Sequence, residues 1–399
     1  MNQLEHTCRG RKPAAAGWLV ITANQLLEEP RAQRLHAGWK AVLLPVLLLV
    51  LVLLTGCGPV VGKAPGVVAR ETVAGTDARI GEFAALYDRR DYFELRARLA
   101  SMPRSGSPVE DLFRALVQAA FNDAAGSNAT LAGIEAAGMT LPDSLTPLFH
   151  RTRFRNHLRL HEYENALHAA RELLALPAVD SAVRADVRNA VPAMEALRDA
   201  PPQRVLRRAD SHIRRGPNAR PIQIGDSART YGLDTGANFS VMMRSEARAL
   251  GLRIRKAAVQ VGTATDIRVE ADVAVADRVR IGAIELSNVV FLVIPDEALT
   301  FQGGRNRIPG LIGFPVIEAL GEVRFRGDSV VSIPAEPPEH SLRNMALEAL
   351  SPLIQVGIFG DTVICALDTG AGATSFYAPS LRSAGEYVIN FRSMTLFLR

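Results

Sequence analysis

Apolar and polar positions follow three successive textures along the chain. The first is an unbroken block: residues 41–55 read AVLLPVLLLVLVLLT, with Arg31, Arg34 and Lys40 ahead of it. The second has the period of a helix. Tyr163, Ala166, Leu167, Ala170, Leu173 and Leu174 share one face at i, i+3, i+4, i+7 spacing, which predicts a helix closed by Pro177. Asp91-Tyr92-Phe93-Glu94-Leu95 followed by Leu99, Met102 and Pro103 predicts another. A third helical stretch runs from Leu112 to Ile134, with a turn expected at Gly126-Ser127-Asn128, and Pro201-Pro202 ends the segment. The third texture is short and β-branched: Val259-Gln260-Val261, Val273-Ala274-Val275, Val289 to Ile294 and Val330-Val331, separated by Gly, Asp and Asn. This predicts an all-β region after residue 205.

Composition narrows the function classes. The chain has 399 residues, 48% apolar and 22% charged, enough for about two domains with real cores, which excludes wholesale disorder. Three cysteines exclude a disulfide scaffold and a multi-cysteine zinc site. The net charge of +5 is spread along the chain as arginines, with no dense basic stripe, so no nucleic-acid partner is expected. His150, His157, His161 and His168 lie close in sequence, but a turn expected between Glu162 and Asn165 breaks their common face, and solvated histidines are the simpler expectation. No Walker loop, dinucleotide fingerprint, HExxH or Gly-x-Ser-x-Gly occurs, and no cofactor is expected.

The apolar block is too short for a comfortable membrane span and has the cationic flank of an export signal. It ends in Leu54-Thr55-Gly56-Cys57, which resembles the bacterial lipobox, with Cys57 as the lipidated residue. The resemblance implies a signal peptide over residues 1–56 and a tether over 57–77. It also implies a lipid anchor at Cys57, with Gly58 directing the protein to the outer membrane facing the periplasm. Residues 78–200 are expected to be helical, either a bundle or a tetratricopeptide-like array. Tyr92 and Tyr163 stand 71 residues apart, close to two repeat periods, and such an array would serve a protein partner.

The chemistry lies further on. Gly232-Leu233-Asp234-Thr235-Gly236-Ala237 and Ala366-Leu367-Asp368-Thr369-Gly370-Ala371 carry the same tetrapeptide after a leucine. Each follows a similar hairpin, Ile222-Gln223-Ile224-Gly225 and Ile354-Gln355-Val356-Gly357. This internal repeat resembles the paired active-site loops of the retropepsin-like aspartic proteases, in particular their bacterial lipoprotein members. The resemblance implies an acid-protease barrel with lobe 1 over 205–338 and lobe 2 over 348–399. Asp234 and Asp368 would be the catalytic dyad; Thr235, Gly236, Ala237, Thr369, Gly370 and Ala371 would form the loops. Leu311, Ile312 and Gly313 would be the segment closing lobe 1, and Gly262, Thr263, Ala264 and Thr265 its flap. Phe239, Ile267 and Phe314 are candidates for apolar subsites. Two carboxylates held about 3 Å apart cannot both ionise, so they share one proton and together activate water.

Lobe 2 departs from this pattern. Phe325 follows Asp234 by 91 residues, whereas Phe391 follows Asp368 by only 23, so about 68 residues of flap and closing segment have no counterpart. No hydrophobic-hydrophobic-Gly segment follows Asp368. Three arrangements remain open: an internal loss, a reduced lobe that supplies only Asp368 and a few strands, and a homodimer through lobe 1. The function is accordingly either a lipid-anchored aspartic endopeptidase acting on peptide or protein substrates, or an inactive adaptor that works through its helical domain.

Overall fold

The computed structural model describes residues 19–21, 78–214, 222–262, 268–326, 330–336, 343–358, 361–370, 375–376 and 393–397. After one short strand at residues 19–21, seven helices follow among the described residues: α1 (Ala78–Asp88), α2 (Tyr92–Ser101), α3 (Pro108–Ala120), α4 (Ala124–Ala136), α5 (Thr146–Arg159), α6 (Tyr163–Ala175) and α7 (Ser181–Leu197). Aspartates cap three of them. Asp91 accepts from the Glu94 amide, Asp123 from Gly126, and Asp180 from Ala182 and Val183, satisfying donors that the first helical turn leaves open. The apolar faces close two cores, one around Leu95, Leu112, Phe113 and Leu131, the other around Phe154, Leu167, Leu173 and Met194.

Two expected turns lie elsewhere. Gly126-Ser127-Asn128 is inside α4; the chain turns at Asn122, in the left-handed region at φ 69°, and Asp123 starts the helix. The turn near the histidines falls at His161 (φ 57°), so Glu162 is a cap and Asn165 is already helical. His157 meets Glu162 at 2.6 Å, while His150 and His168 approach Glu172. Among the described residues no group of three or more His, Cys, Asp or Glu side chains gathers as a metal site. Tyr92 and Tyr163 each open a helix after a left-handed residue, Arg90 or His161. Both tyrosines are buried against the β region, Tyr92 with Ala346 and Leu353, Tyr163 with Ala257 and Val259.

The β region then follows. Its strands are β1 (Leu19–Ile21), β2 (Arg204–Arg207), β3 (Ser211–Arg214), β4 (Ile222–Ile224), β5 (Ser227–Arg229), β6 (Gly232–Leu233) and β7 (Ser240–Met243). Next come β8 (Ile254–Gly262), β9 (Arg268–Ile281), β10 (Ile284–Ile294), β11 (Thr300–Phe301), β12 (Asn306–Arg307) and β13 (Gly310–Ile312). The last are β14 (Glu322–Arg326), β15 (Val330–Ile333), β16 (Met345–Glu348), β17 (Ser351–Ile358), β18 (Asp361–Leu367), β19 (Ser375–Phe376) and β20 (Ser393–Phe397). Helices α8 (Arg244–Ala249) and α9 (Phe314–Ala319) punctuate them. The chain is thus a helical region followed by a β-rich region with a curled half-barrel sheet.

The larger sheet runs β5-β4-β9-β10-β7-β13-β6, with β2 on β10 and β8 on β9. A second sheet, β16-β17-β18-β1-β19, carries the other repeat. A third, β20-β14-β15-β3, joins the end of the chain to strands of lobe 1. One core spans both lobes, from Ile222, Phe291 and Phe314 to Leu347, Cys365 and Leu367. Cys365 is buried there as a free thiol, and burial pushes it up to about 12.

The hairpins before the two loops differ. Gly225 sits in the turn between β4 and β5 at φ 55°, but Gly357 lies within β17, paired with Thr362. The second hairpin is longer, its pairing running on to Ile358 opposite Asp361.

The segment missing after Asp368 has a stand-in from the other end of the chain. In lobe 1, β13 runs parallel to β6, Ile312 opposite Leu233, and antiparallel to β7, Gly310 opposite Met242. In lobe 2, β1 runs parallel to β18, Ile21 opposite Leu367, and antiparallel to β19, Leu19 opposite Phe376. Leu233 and Leu367 each precede an aspartate, and Met242 and Phe376 each follow it by eight residues. The two registers are therefore equivalent. Residues 19–21, which fall in the stretch read as signal peptide, supply the strand that the shortened lobe lacks.

Asp272 holds an irregularity in the β8–β9 pair. The register shifts between Arg255 and Val259, and Ala258 adopts φ 53°. The Asp272 carboxylate accepts from the Ala257 amide (3.0 Å) and the Ala258 amide (3.4 Å) and pairs with Arg244 at 2.9 Å. Burial raises its pKa, but the amide and Arg244 contacts outweigh it and hold the carboxyl below its usual range. Asp272→Ala is expected to lower unfolding free energy by roughly 2–3 kcal/mol, because one buried amide, one part-buried amide and a guanidinium lose their acceptor; chemical denaturation checks this. A chain beginning at residue 58 is expected to exchange its amides at Cys365–Leu367 at least about tenfold faster than the full chain, since β18 then loses a neighbour; hydrogen exchange reads it.

Candidate active site

Each aspartate stands at the end of a strand, Asp234 after β6 and Asp368 after β18. Both loops fold back on their own carboxylate. Asp234 Oδ1 accepts from the Gly236 amide at 2.9 Å and the Ala237 amide at 3.2 Å, and Asp368 Oδ1 accepts from Gly370 at 2.8 Å. Short side-chain acceptors answering the amide two residues on are Asx turns, which the Asp-Thr-Gly sequence favours.

The loops meet face to face through their threonines. Thr235 Oγ1 donates to the Leu367 carbonyl at 2.8 Å and accepts from the Thr369 amide at 3.0 Å. Thr369 Oγ1 donates to the Leu233 carbonyl at 2.7 Å and accepts from the Thr235 amide at 3.1 Å. Both side chains are fully buried, so no water competes for these four bonds.

The glycines are dictated by close approach. A Cβ on Gly236 would stand 2.5 Å from Cγ of Asp368, and one on Gly370 would collide in the same way with the carboxylate of Asp234. Each carboxylate therefore lies over the glycine of the opposite loop, and only glycine leaves room for it. This reciprocal contact brings Asp234 and Asp368 of a single chain together.

Strand β13 and the residues after it lie behind Asp234. The Asp234 amide donates to the Ile312 carbonyl at 2.9 Å, the Phe314 amide to Ala237 at 2.8 Å, and the Gly313 amide to Ser240 Oγ at 3.0 Å. A side chain at Gly313 would overlap the Phe239 backbone, so the Gly after Leu311-Ile312 is a steric requirement. Ser240 escaped the sequence reading, since a lone serine after the loop carries no signal. The same holds for Tyr231, Arg229 and Glu246. Tyr231 packs under Gly310 and donates to Glu246 at 3.1 Å, and Arg229 pairs with the same carboxylate. Phe314 is a correction: it is fully buried in the core and cannot line a subsite. Phe239 is partly buried between two cores. Gly262 ends β8, whereas Thr263, Ala264, Thr265, Ile267, Ala371 and Cys57 lie outside the described residues.

Residues 221–316 match the family model for aspartyl proteases. This segment is similar to aspartyl proteases. The matched stretch takes in the Asp234 loop, the β8–β9 hairpin and the closing strand β13, and stops short of Asp368. No curated protein and no solved structure matches the chain.

Asp234 lies beside a second carboxyl. Burial, and then the Asp368 carboxylate facing it, push Asp234 up to about 6, against the pull of the Gly236 and Ala237 amides. A carboxyl raised in the folded state favours folding fully below its unfolded pKa and loses that contribution as pH rises through about 6. Asp234→Asn is therefore expected to raise the melting temperature at pH 7, by up to about 3 kcal/mol of stability, with the gain vanishing below about pH 4; thermal melts across pH measure it. A gain that persisted unchanged at pH 3 would argue against a raised Asp234.

Proposed function

We propose that the chain is an aspartic endopeptidase whose dyad, Asp234 and Asp368, belongs to one polypeptide. The observation that carries this is the reciprocal seating of each carboxylate over the opposite glycine, braced by the buried threonines. Asp234, pushed up to about 6 by burial and by the Asp368 carboxylate, gives the pair one proton to share at mildly acidic pH. The ionised member takes a proton from a water molecule as its oxygen bonds to the peptide carbonyl carbon. The protonated member gives its proton to the carbonyl oxygen. Collapse of the resulting diol breaks the C–N bond, the nitrogen leaves protonated, and no acyl-enzyme forms.

The β8–β9 hairpin acts in this reading as the flap over the substrate peptide. The single-chain dyad is preferred to a homodimer through lobe 1 because the second loop already occupies the place that a symmetry mate would take. The tetratricopeptide-like character of the helices, and a protein partner for them, belong to the same proposal. So does lipid anchoring at Cys57 in the bacterial cell envelope, at the outer membrane facing the periplasm. What supports the anchor is the apolar block closed by Leu54-Thr55-Gly56-Cys57. Processing before Cys57 also removes Leu19–Ile21, so the lipidated form and the full chain differ in the strand beside β18.

The test is cleavage of a peptide library by the full chain and by a chain from residue 58, between pH 4 and 8. Asp234→Asn and Asp368→Asn are each expected to lower kcat at least about a thousandfold, and kcat/KM of the wild type is expected to fall as pH rises past about 6. Loss with Asp234→Asn alone, together with a rate that climbs with the square of protein concentration, would point instead to a homodimeric dyad. No cleavage by either wild-type form would leave the helical adaptor as the function.

A further inference from the structure

Helix α7 presents a face of small and polar residues to the protease domain. Asn189, Ala193, Ala196 and Leu197 follow at i, i+4, i+7 and i+8, and Leu197 and Ala200 share a core with Ala257, Val259 and Ala271 of the β8–β9 hairpin. Alanines at the contact let the helix backbone come close to a strand edge. Among the described strands β8 pairs only with β9, so its other edge would be left with open backbone groups.

Asn189 satisfies that edge at Gln260. The Gln260 amide donates to Asn189 Oδ1 at 2.8 Å, and Asn189 Nδ2 donates to the Gln260 carbonyl at 2.8 Å. Gln260 stands opposite Glu270 in the β8–β9 ladder, and its two main-chain groups point away from β9 toward α7. The carboxamide thus does what the peptide group of a neighbouring strand would do. Arg255 adds a second tie, donating at 2.8 Å to the Ala196 carbonyl, one of the acceptors that the end of a helix leaves open.

We propose that Asn189 is a positioning residue of the peptidase. It fixes the β8–β9 hairpin to the helical region, so that α7 sets how the hairpin meets substrate. This rests on the peptidase reading above and assigns the helical region a part in it: the helices act on the site through one side chain pinned two residues before Gly262. Asn189 is half-buried on a helix surface, and its replacement leaves both cores intact.

The test compares Asn189→Ala, Asn189→Leu and Asn189→Asp in the full chain, with hydrogen exchange at Gln260 and steady-state peptide cleavage. Asn189→Ala and Asn189→Leu are expected to speed exchange of the Gln260 amide about tenfold or more and to raise KM several-fold, with kcat within about twofold. Asn189→Asp keeps the acceptor and is expected to restore protection at Gln260. Unchanged Gln260 exchange in Asn189→Ala would overturn the strap. Faster exchange with KM and kcat both at wild-type values would show the contact to be structural only and overturn the positioning role. If the wild type cuts no peptide, the peptidase reading falls and this role falls with it, whereas failure of the strap alone leaves cleavage in place.

Discussion

The two buried threonine hydroxyls carry the arrangement on which the rest depends. Thr235 and Thr369 each donate to a carbonyl of the opposite lobe and accept an amide from the opposite loop. Bringing two carboxylates together out of water is unfavourable, and a joint of loosely packed side chains would let them drift apart. Four hydrogen bonds between fully buried groups, shielded from solvent, set the distance between the loops instead. The backbone of each loop needs glycine because the brace holds the loops so close.

Around this joint the molecule is assembled from pieces distant in sequence. The final strand, β20, pairs with β14 of lobe 1 along five residues, and β15 continues to β3 near the start of the β region. The helices are not a separate body hung on a linker. Arg159 reaches Glu318 at 3.1 Å, Arg255 donates to the Ala196 carbonyl near the end of α7, and Arg90 pairs with Glu348 in the second sheet. The helical region therefore touches both lobes, and the double proline at 201–202 marks a change of secondary structure more than a point of independence.

What the sequence disclosed follows from how local each signal is. The two DTGA loops and Leu311-Ile312-Gly313 were legible because each residue type there answers a steric or hydrogen-bonding need within a few residues of itself. The helices of Tyr92 and Tyr163 were legible for the same reason, through a period and a closing proline. The turn placed at Gly126 was misjudged because glycine is a weak signal beside Asp123, whose carboxylate caps the Gly126 amide and draws that glycine into α4. Phe314 looked like a subsite residue, but the tight approach of Gly313 to Phe239 turns the chain inward and buries the ring. The pairing of Leu19–Ile21 with β18, and of Asn189 with Gln260, lay beyond reach, since each joins segments far apart in sequence by backbone groups that every residue possesses.

The reciprocal glycine contact has a consequence for how the site tolerates change. Because each aspartate rests on the other loop's glycine, the two loops form one unit with two sequence addresses. A side chain introduced at Gly236 displaces Asp368, and one at Gly370 displaces Asp234, so either lesion removes the whole pair. Damage to the second loop then adds little to damage in the first. Such a site is strongly epistatic: a side chain at either glycine is enough to unseat the opposite carboxylate and with it the pair.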